Sequence, residues 1–150
     1  LNDNTDNIAN GMFKGCTALK AITLPKNLKE ICFEAFQECT ALTQITIPTS
    51  VTSMSSEVFD GCVSLTKANI LGSITRIEQY AFNGCKQLKA IFIPVTVNEI
   101  WGYAFKGCVS LEDVYYPASE SAWTNISIDG SDNGFLTAAD LHTNALPLVI

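Results

Sequence analysis

Apolar and polar positions along this chain alternate in two different rhythms, and the pair of rhythms returns every 23 residues. A stretch of the form LxxIxI, as in Leu42 to Ile47, ends in a period of two and is followed by proline. Period two with a residue that cannot donate to a ladder predicts a short strand, at 21–24 and at the matching positions of every copy. The stretch from Ile31 through Ala35, Phe36 and Cys39 instead gathers its apolar residues on one side of a helical turn, which predicts a short helix. Glycine stands near its end at 15, 61, 84 and 107, where the left-handed conformation that commonly closes a helix is expected. Glu38 replaces that glycine in the second copy, so either the turn differs there or a non-glycine residue bears a strain of about 1–2 kcal/mol.

The step is carried by three invariant columns: Cys16, Cys39, Cys62, Cys85, Cys108; Phe13, Phe36, Phe59, Phe82, Phe105; and Leu19, Leu42, Leu65, Leu88, Leu111. Five copies cover 115 of the 150 residues. A unit this short cannot bury both its sides, so units must stack, strand beside strand and helix beside helix, into a parallel-sheet solenoid. Strands pack about 4.8 Å apart and helices about 10 Å, which puts the sheet on the inner side of a curve. Truncating a stacked phenylalanine should cost about 3–5 kcal/mol. Ala68 stands where other copies have isoleucine or valine, a weak rung unless Leu71 fills the gap. A small polar column, Asn27, Ser50, Ser73, Thr96 and Ser119, reads as turn support, since a buried turn leaves backbone groups without water.

The unit, seen in AFNGCKQLKAIFIPVTVNEI at residues 81–100, resembles the BspA-like leucine-rich repeats of bacterial surface and secreted proteins. The fixed 23-residue step and the paired AF and GC dipeptides carry the resemblance, and the tail VYYPASESAWTNISIDGSDNGFLTAADLHTN is similar to the family's closing segment. It implies an α/β fold: a right-handed leucine-rich repeat solenoid, with the parallel sheet on the concave face and short helices on the convex one. It further implies a non-catalytic adhesion or protein-binding module, extracellular or on the cell surface, holding a protein or glycan of host or neighbouring cells. A structural spacer is the alternative.

One leucine-rich repeat domain is expected over 1–150: a partial repeat at 1–11, five repeats over 12–126 and a C-terminal cap at 127–150. Leu1, Asn4 and Ile8 fall in the strand, turn and helix columns of a repeat lacking its first half, so upstream sequence is expected to have been removed. The open edge should be covered by a small cap from residues 1–12 or by another copy. At the other end Trp123 falls in the column of Ile31, Ile128 in the phenylalanine column and Gly130 in the glycine column, after which Leu136, Ala139 and Leu141 repeat LxxIxI as a last strand. Trp123 reads as a plug for that cap.

With 47% hydrophobic residues the chain can build a packed core. Nine basic against fifteen acidic side chains, a formal charge of −6, repel nucleic acid and anionic lipid, and no apolar run reaches the roughly 18 residues of a membrane span. The start LNDNTDN lacks the features of a signal peptide. No cofactor is expected, and lone His142 has no paired nucleophile in the sequence to suggest catalysis. The cysteine column reads as buried packing rather than a metal ladder, because stacked side chains line up instead of converging tetrahedrally. Disulfides between rungs are not expected either, parallel stacking turning the thiols the wrong way. Cys32 lies outside the column, as an accessible thiol or one shielded by Phe33.

Two sites remain. Outward residues of the sheet are Ala21 and Thr23, Gln44 and Thr46, Lys67 and Asn69, Ala90 and Phe92, Asp113 and Tyr115. Of these, Phe92, Tyr115, Lys67, Asn69, Gln44 and Asp113 are the candidate ligand face, with Phe92 and Tyr115 touching as an exposed aromatic pair. A cross-strand pair that merely steadies the sheet is the plainer reading. The segment DGSDNGFLTAAD places Asp129, Ser131, Asn133 and Asp140 at calcium-loop positions 1, 3, 5 and 12, although position 12 lacks the usual glutamate. Trp101, Tyr80 and Tyr103 form a further aromatic group, expected to pack between rungs.

Overall fold

The computed structural model describes residues 1–2 and 4–150. The repeating LxxIxI stretches form β3 (Gln44–Ile47), β5 (Lys67–Ile70), β7 (Ala90–Phe92) and β9 (Asp113–Tyr115), joined by β11 (Asp140–His142) in one parallel sheet. Gln44 pairs with Lys67, Lys67 with Ala90 and Ala90 with Asp113, so the 23-residue step is the register itself. Farther along each coil lies a second column of two-residue strands: β1 (Asn7–Ile8), β2 (Glu30–Ile31), β4 (Ser53–Met54), β6 (Arg76–Ile77), β8 (Glu99–Ile100) and β10 (Ser127–Ile128). The result is a parallel β-solenoid of about six turns. Its helices, among the described residues, are α1 (Glu120–Trp123) and α2 (Gly134–Ala138), both beyond the fifth repeat.

The short helix expected in each repeat is therefore replaced by a run of turns. Along 34–39 the amides of Ala35, Gln37 and Cys39 donate three residues back, to the carbonyls of Cys32, Glu34 and Phe36. Those of Glu34, Phe36 and Glu38 donate to Ser56, Val58 and Asp60 of the next coil. Half the amides thus stitch rungs together, which a helix, satisfying its own donors internally, would forgo. Two residues per coil turn left-handed to alternate the amides in this way. Glu38 is one, at φ 59°, in the column of the expected glycines; the column of Glu34, Glu57, Tyr80 and Tyr103 is the other, at φ 56–63°. Since this limb advances by about the same step as the strands, with stacked phenylalanine rings 5.1–5.5 Å apart, the thickness difference expected to curve the sheet is missing from the repeats.

Phe36, Phe59, Phe82 and Phe105 are wholly buried in that stack, and Phe13 ends it half-buried. The cysteines stand in single file beside it, all free. Cys39, Cys62, Cys85 and Cys108 each donate their S–H to the phenylalanine carbonyl of the preceding coil at 3.1–3.2 Å. Burial pushes the Cys39 thiol up to about 11 and Cys108 to about 12, and raises Cys62 and Cys85 as well, so they stay protonated donors. Cys32, off the column, is half-buried, its thiol raised first by desolvation and then by Glu30. The polar column works as expected at three positions: Ser50 and Thr96 donate to the carbonyls of Leu28 and Ile74, and Ser119 caps α1.

The third repeat departs from the rest where Leu71 replaces proline. Having an N–H, Leu71 adds a ladder bond to Ile47, and the Ser73 amide then reaches Val51. This draws the backbone so close that a Cβ on Gly72 would lie 2.5 Å from the Val51 carbonyl. In the same coil the second column of strands lapses, β1-β2-β4 and β6-β8-β10 forming separate sheets.

Both ends differ from expectation. Residues 21–24 form no ladder with β3, since an outermost strand is held from one side only; Thr43 N–H to Lys20 O is the bond made there. Residues 7–15 are stitched to the next coil like any rung, with Ile8 fully buried and the Asn10 side chain accepting from Phe33 N–H, rather than folding over the edge as a cap. At the far end α1 inserts five residues, so Ile128 pairs with Ile100 and sits in the Ile31 column, not the phenylalanine column. Trp123 lies on α1, edge-on to Tyr116 at 5.3 Å and packed against the core. The last strand arrives as expected but with Leu141 opposite Val114, two residues out of the expected register, because the residues inserted at α1 are only slightly recovered by the shorter passage from β10 to β11.

Candidate functional site: the face of the long sheet

The outward row of the sheet is set by strand alternation: in β3 Gln44 and Thr46 look out while Ile45 and Ile47 are buried, and the same holds for Asp113 and Tyr115 around Val114 in β9. Three residues break the rule in the middle of the face, Ala90 at 8% exposure among them. Asn69 is 3% exposed and Phe92 5%, so the exposed aromatic pair does not form. Register does place Phe92 opposite Tyr115. The Tyr115 ring stacks instead on His142 at 4.6 Å, whose Nε2 lies 2.7 Å from Asp113 Oδ1.

The cover over the middle is the chain's own C-terminal segment. It leaves β11 with the amides of Asn144 and Ala145 bonded to the carbonyls of Ala118 and Tyr116, then runs back across the strands. At β5 the Asn69 carboxamide takes both main-chain groups of Leu148, donating to its carbonyl at 2.7 Å and accepting from its N–H at 2.8 Å. Lys67 Nζ reaches the Val149 carbonyl at 3.4 Å. Ile150 ends over a cavity of about 450 Å³, lined by residues 21–24 and 43–46 and by Pro48. Of the six candidate ligand-face residues, Asn69 and Lys67 are thus tied to this strap, Phe92 is buried, and Gln44, Asp113 and Tyr115 remain half-exposed. The one trace of the strap in the sequence is LPLVI, an apolar run matching no column of the repeat.

The segment of the possible calcium loop is organised by its own hydrogen bonds. Asp129 accepts from the Ser131 amide, which lowers its pKa. Asn133, 1% exposed, accepts from Phe105 N–H at 3.0 Å and donates to the carbonyls of Trp101 and Asp129 at 2.9 and 2.8 Å. Its Oδ1 stands where the preceding coils put a backbone carbonyl, as Ala104 does for Phe82, so the side chain completes the last rung. Asp140 begins β11, its amide bonded to Glu112.

On another side, Tyr80 and Tyr103 stack between rungs at 5.1 Å, as expected. Trp101 lies on the surface, under the Arg76 guanidinium at 4.5 Å and donating to Glu99. Arg76 also bonds Glu99 at 2.7 Å and, ahead of Trp101, holds its carboxyl below the usual range.

A family model described as BspA type leucine rich repeat region matches residues 6–133 in six copies, a span that takes in the first partial rung and the displaced last one. Curated proteins yield no match. Among solved structures, a leucine-rich repeat protein from Bacteroides ovatus is similar at TM-score 0.70 and 35% identity, over 76% of this chain and 31% of that one. A leucine rich repeat protein of T. pallidum gives 0.69 and 32%, over 73% and 51%. A leucine rich cell surface protein from Faecalibacterium prausnitzii gives 0.65 and 31%, over 84% and 33%. The chain spans a third to a half of the length of these proteins. With the family model matching most of a chain whose register is the repeat length, the chain belongs to the BspA-type leucine-rich repeat family.

Proposed function

We propose that this chain is a non-catalytic recognition module of a surface or secreted protein, right-handed as the family resemblance implies, holding a protein partner on the outward face of its long sheet. The observation that carries this reading is the strap: the face grips a polypeptide through the outward side chains of Asn69 and Lys67, whose hydrogen bonds go to its main chain. The name of the Faecalibacterium structure supports the location. A spacer role is favoured by the same cover, which leaves the centre of the face shut. Binding of the full chain to immobilised matrix proteins, bacterial cells and glycans, alongside T46R and D113R, separates the two. Capture weakened by substitution at these half-exposed positions is expected; no capture, or capture indifferent to both, supports the spacer.

A further inference from the structure

We infer that the strap, residues 144–150, is a displaceable occupant of a peptide groove, and that the partner fitting this face is an extended apolar polypeptide read through its backbone by Asn69. This rests on the recognition reading above and names its ligand class.

Asn69 sits in mid-strand, where asparagine is a poor choice for a pleated surface. Both ends of its carboxamide go to Leu148, one to N–H and one to C=O. A carboxamide so placed matches the donor and acceptor that every non-proline residue offers, so it recognises main chain and tolerates many side chains. What surrounds it selects apolar segments. Phe92, paired in register with Asn69, is a buried aromatic beside it, and the strap itself reads ALPLVI.

The strap fills the groove poorly. Leu146 and Val149 are 83% and 90% exposed, so much of its apolar surface gains nothing from docking. A cavity of about 450 Å³ over residues 21–24 and 43–46 adjoins Ile150, with room for an extended chain along the same face. A tethered segment acts at an effective concentration of about millimolar, enough to hold the face shut with few contacts yet yield to a longer competitor. Leaving the face bare would strip Asn69 of its partners, so the groove favours exchange of one polypeptide for another.

Two measurements on the full chain test this. Hydrogen exchange should find the Leu148 amide protected in the wild type, and at least about tenfold faster in N69A. A fluorescent peptide carrying the sequence of residues 144–150 should bind L148D, whose own strap no longer fits. It should bind the wild type and L148D/N69A at least about tenfold more weakly, the loss expected for two hydrogen bonds. An unprotected Leu148 amide in the wild type overturns the inference. So does an L148D protein of unchanged circular dichroism and melting that fails to raise peptide anisotropy at millimolar concentration. Should a surface partner be captured through the face while the peptide does not bind, the groove alone is refuted; peptide binding without any captured partner leaves the groove and removes the recognition reading.

Discussion

Replacing Asn133 by alanine should weaken the solenoid as much as losing a piece of its core. The side chain is 1% exposed and makes three hydrogen bonds, each to a main-chain group of the last rung or the loop beyond it. The substitution strands the buried Phe105 N–H, at about 1–3 kcal/mol for an unsatisfied donor, and takes a bond from each of two partly buried carbonyls. The sum is about 2–4 kcal/mol, a large share of the roughly 5–15 kcal/mol available to a domain. In a chain of this size that lowers Tm by roughly 5–15 °C. N133D sharpens the test, because a carboxylate keeps the acceptor for Phe105 but faces the Trp101 and Asp129 carbonyls with no donor. A calcium loop would gain a ligand charge from this change and melt higher with millimolar calcium; a structural cap is destabilised and ignores the ion. Urea unfolding of both variants, with and without calcium, is the assay. A ΔΔG below about 0.5 kcal/mol for N133A, or a calcium-dependent rise in Tm for N133D, would refute the capping argument.

Gly72→Ala should cost about 1–3 kcal/mol, since its Cβ meets the Val51 carbonyl, whereas Gly130→Ala, with open space around it, should stay within about 0.5 kcal/mol; equal urea midpoints for the two would contradict the close approach. Phe82→Ala, between two stacked rings, should lose about 3–5 kcal/mol and Phe13→Ala at the half-buried end clearly less, as unfolding measurements would show. In the native protein at pH 8 a disulfide reagent should modify Cys16 and Cys32 first, the other four reacting only on unfolding, because burial both covers them and holds their thiols protonated; six equal rates would contradict the thiol file.

The repeat was legible because register in a solenoid is the repeat length: Phe, Cys and Leu columns 23 apart translate directly into stacked coils. The limb carrying Phe36 was not, since apolar spacing says which side chains face inward and nothing about where the amides point. Helix and stitched turns bury the same residues and differ in the partners of Glu34 and Glu38. Alternation likewise located the outward row, but exposure depends on what lies above it. The strap arrives from residues 79–82 positions away in sequence, held by main-chain atoms that carry no sequence signature. Asn133 was noticed for its oxygen, and that oxygen does serve as an acceptor, for an amide instead of a cation.

The strap is also a tape of fixed length laid over identical rulings. Between its anchors, Ala145 on Tyr116 and Leu148 on Asn69, three residue steps extend about 10 Å, close to the two strand spacings of about 4.8 Å from β9 to β5. One further 23-residue coil spliced into the middle of the stack would lengthen the sheet without lengthening the tape. Asn69 would then lie out of reach of Leu148. In this architecture the count of coils between the two anchors, more than any single side chain, decides whether Leu148 meets Asn69.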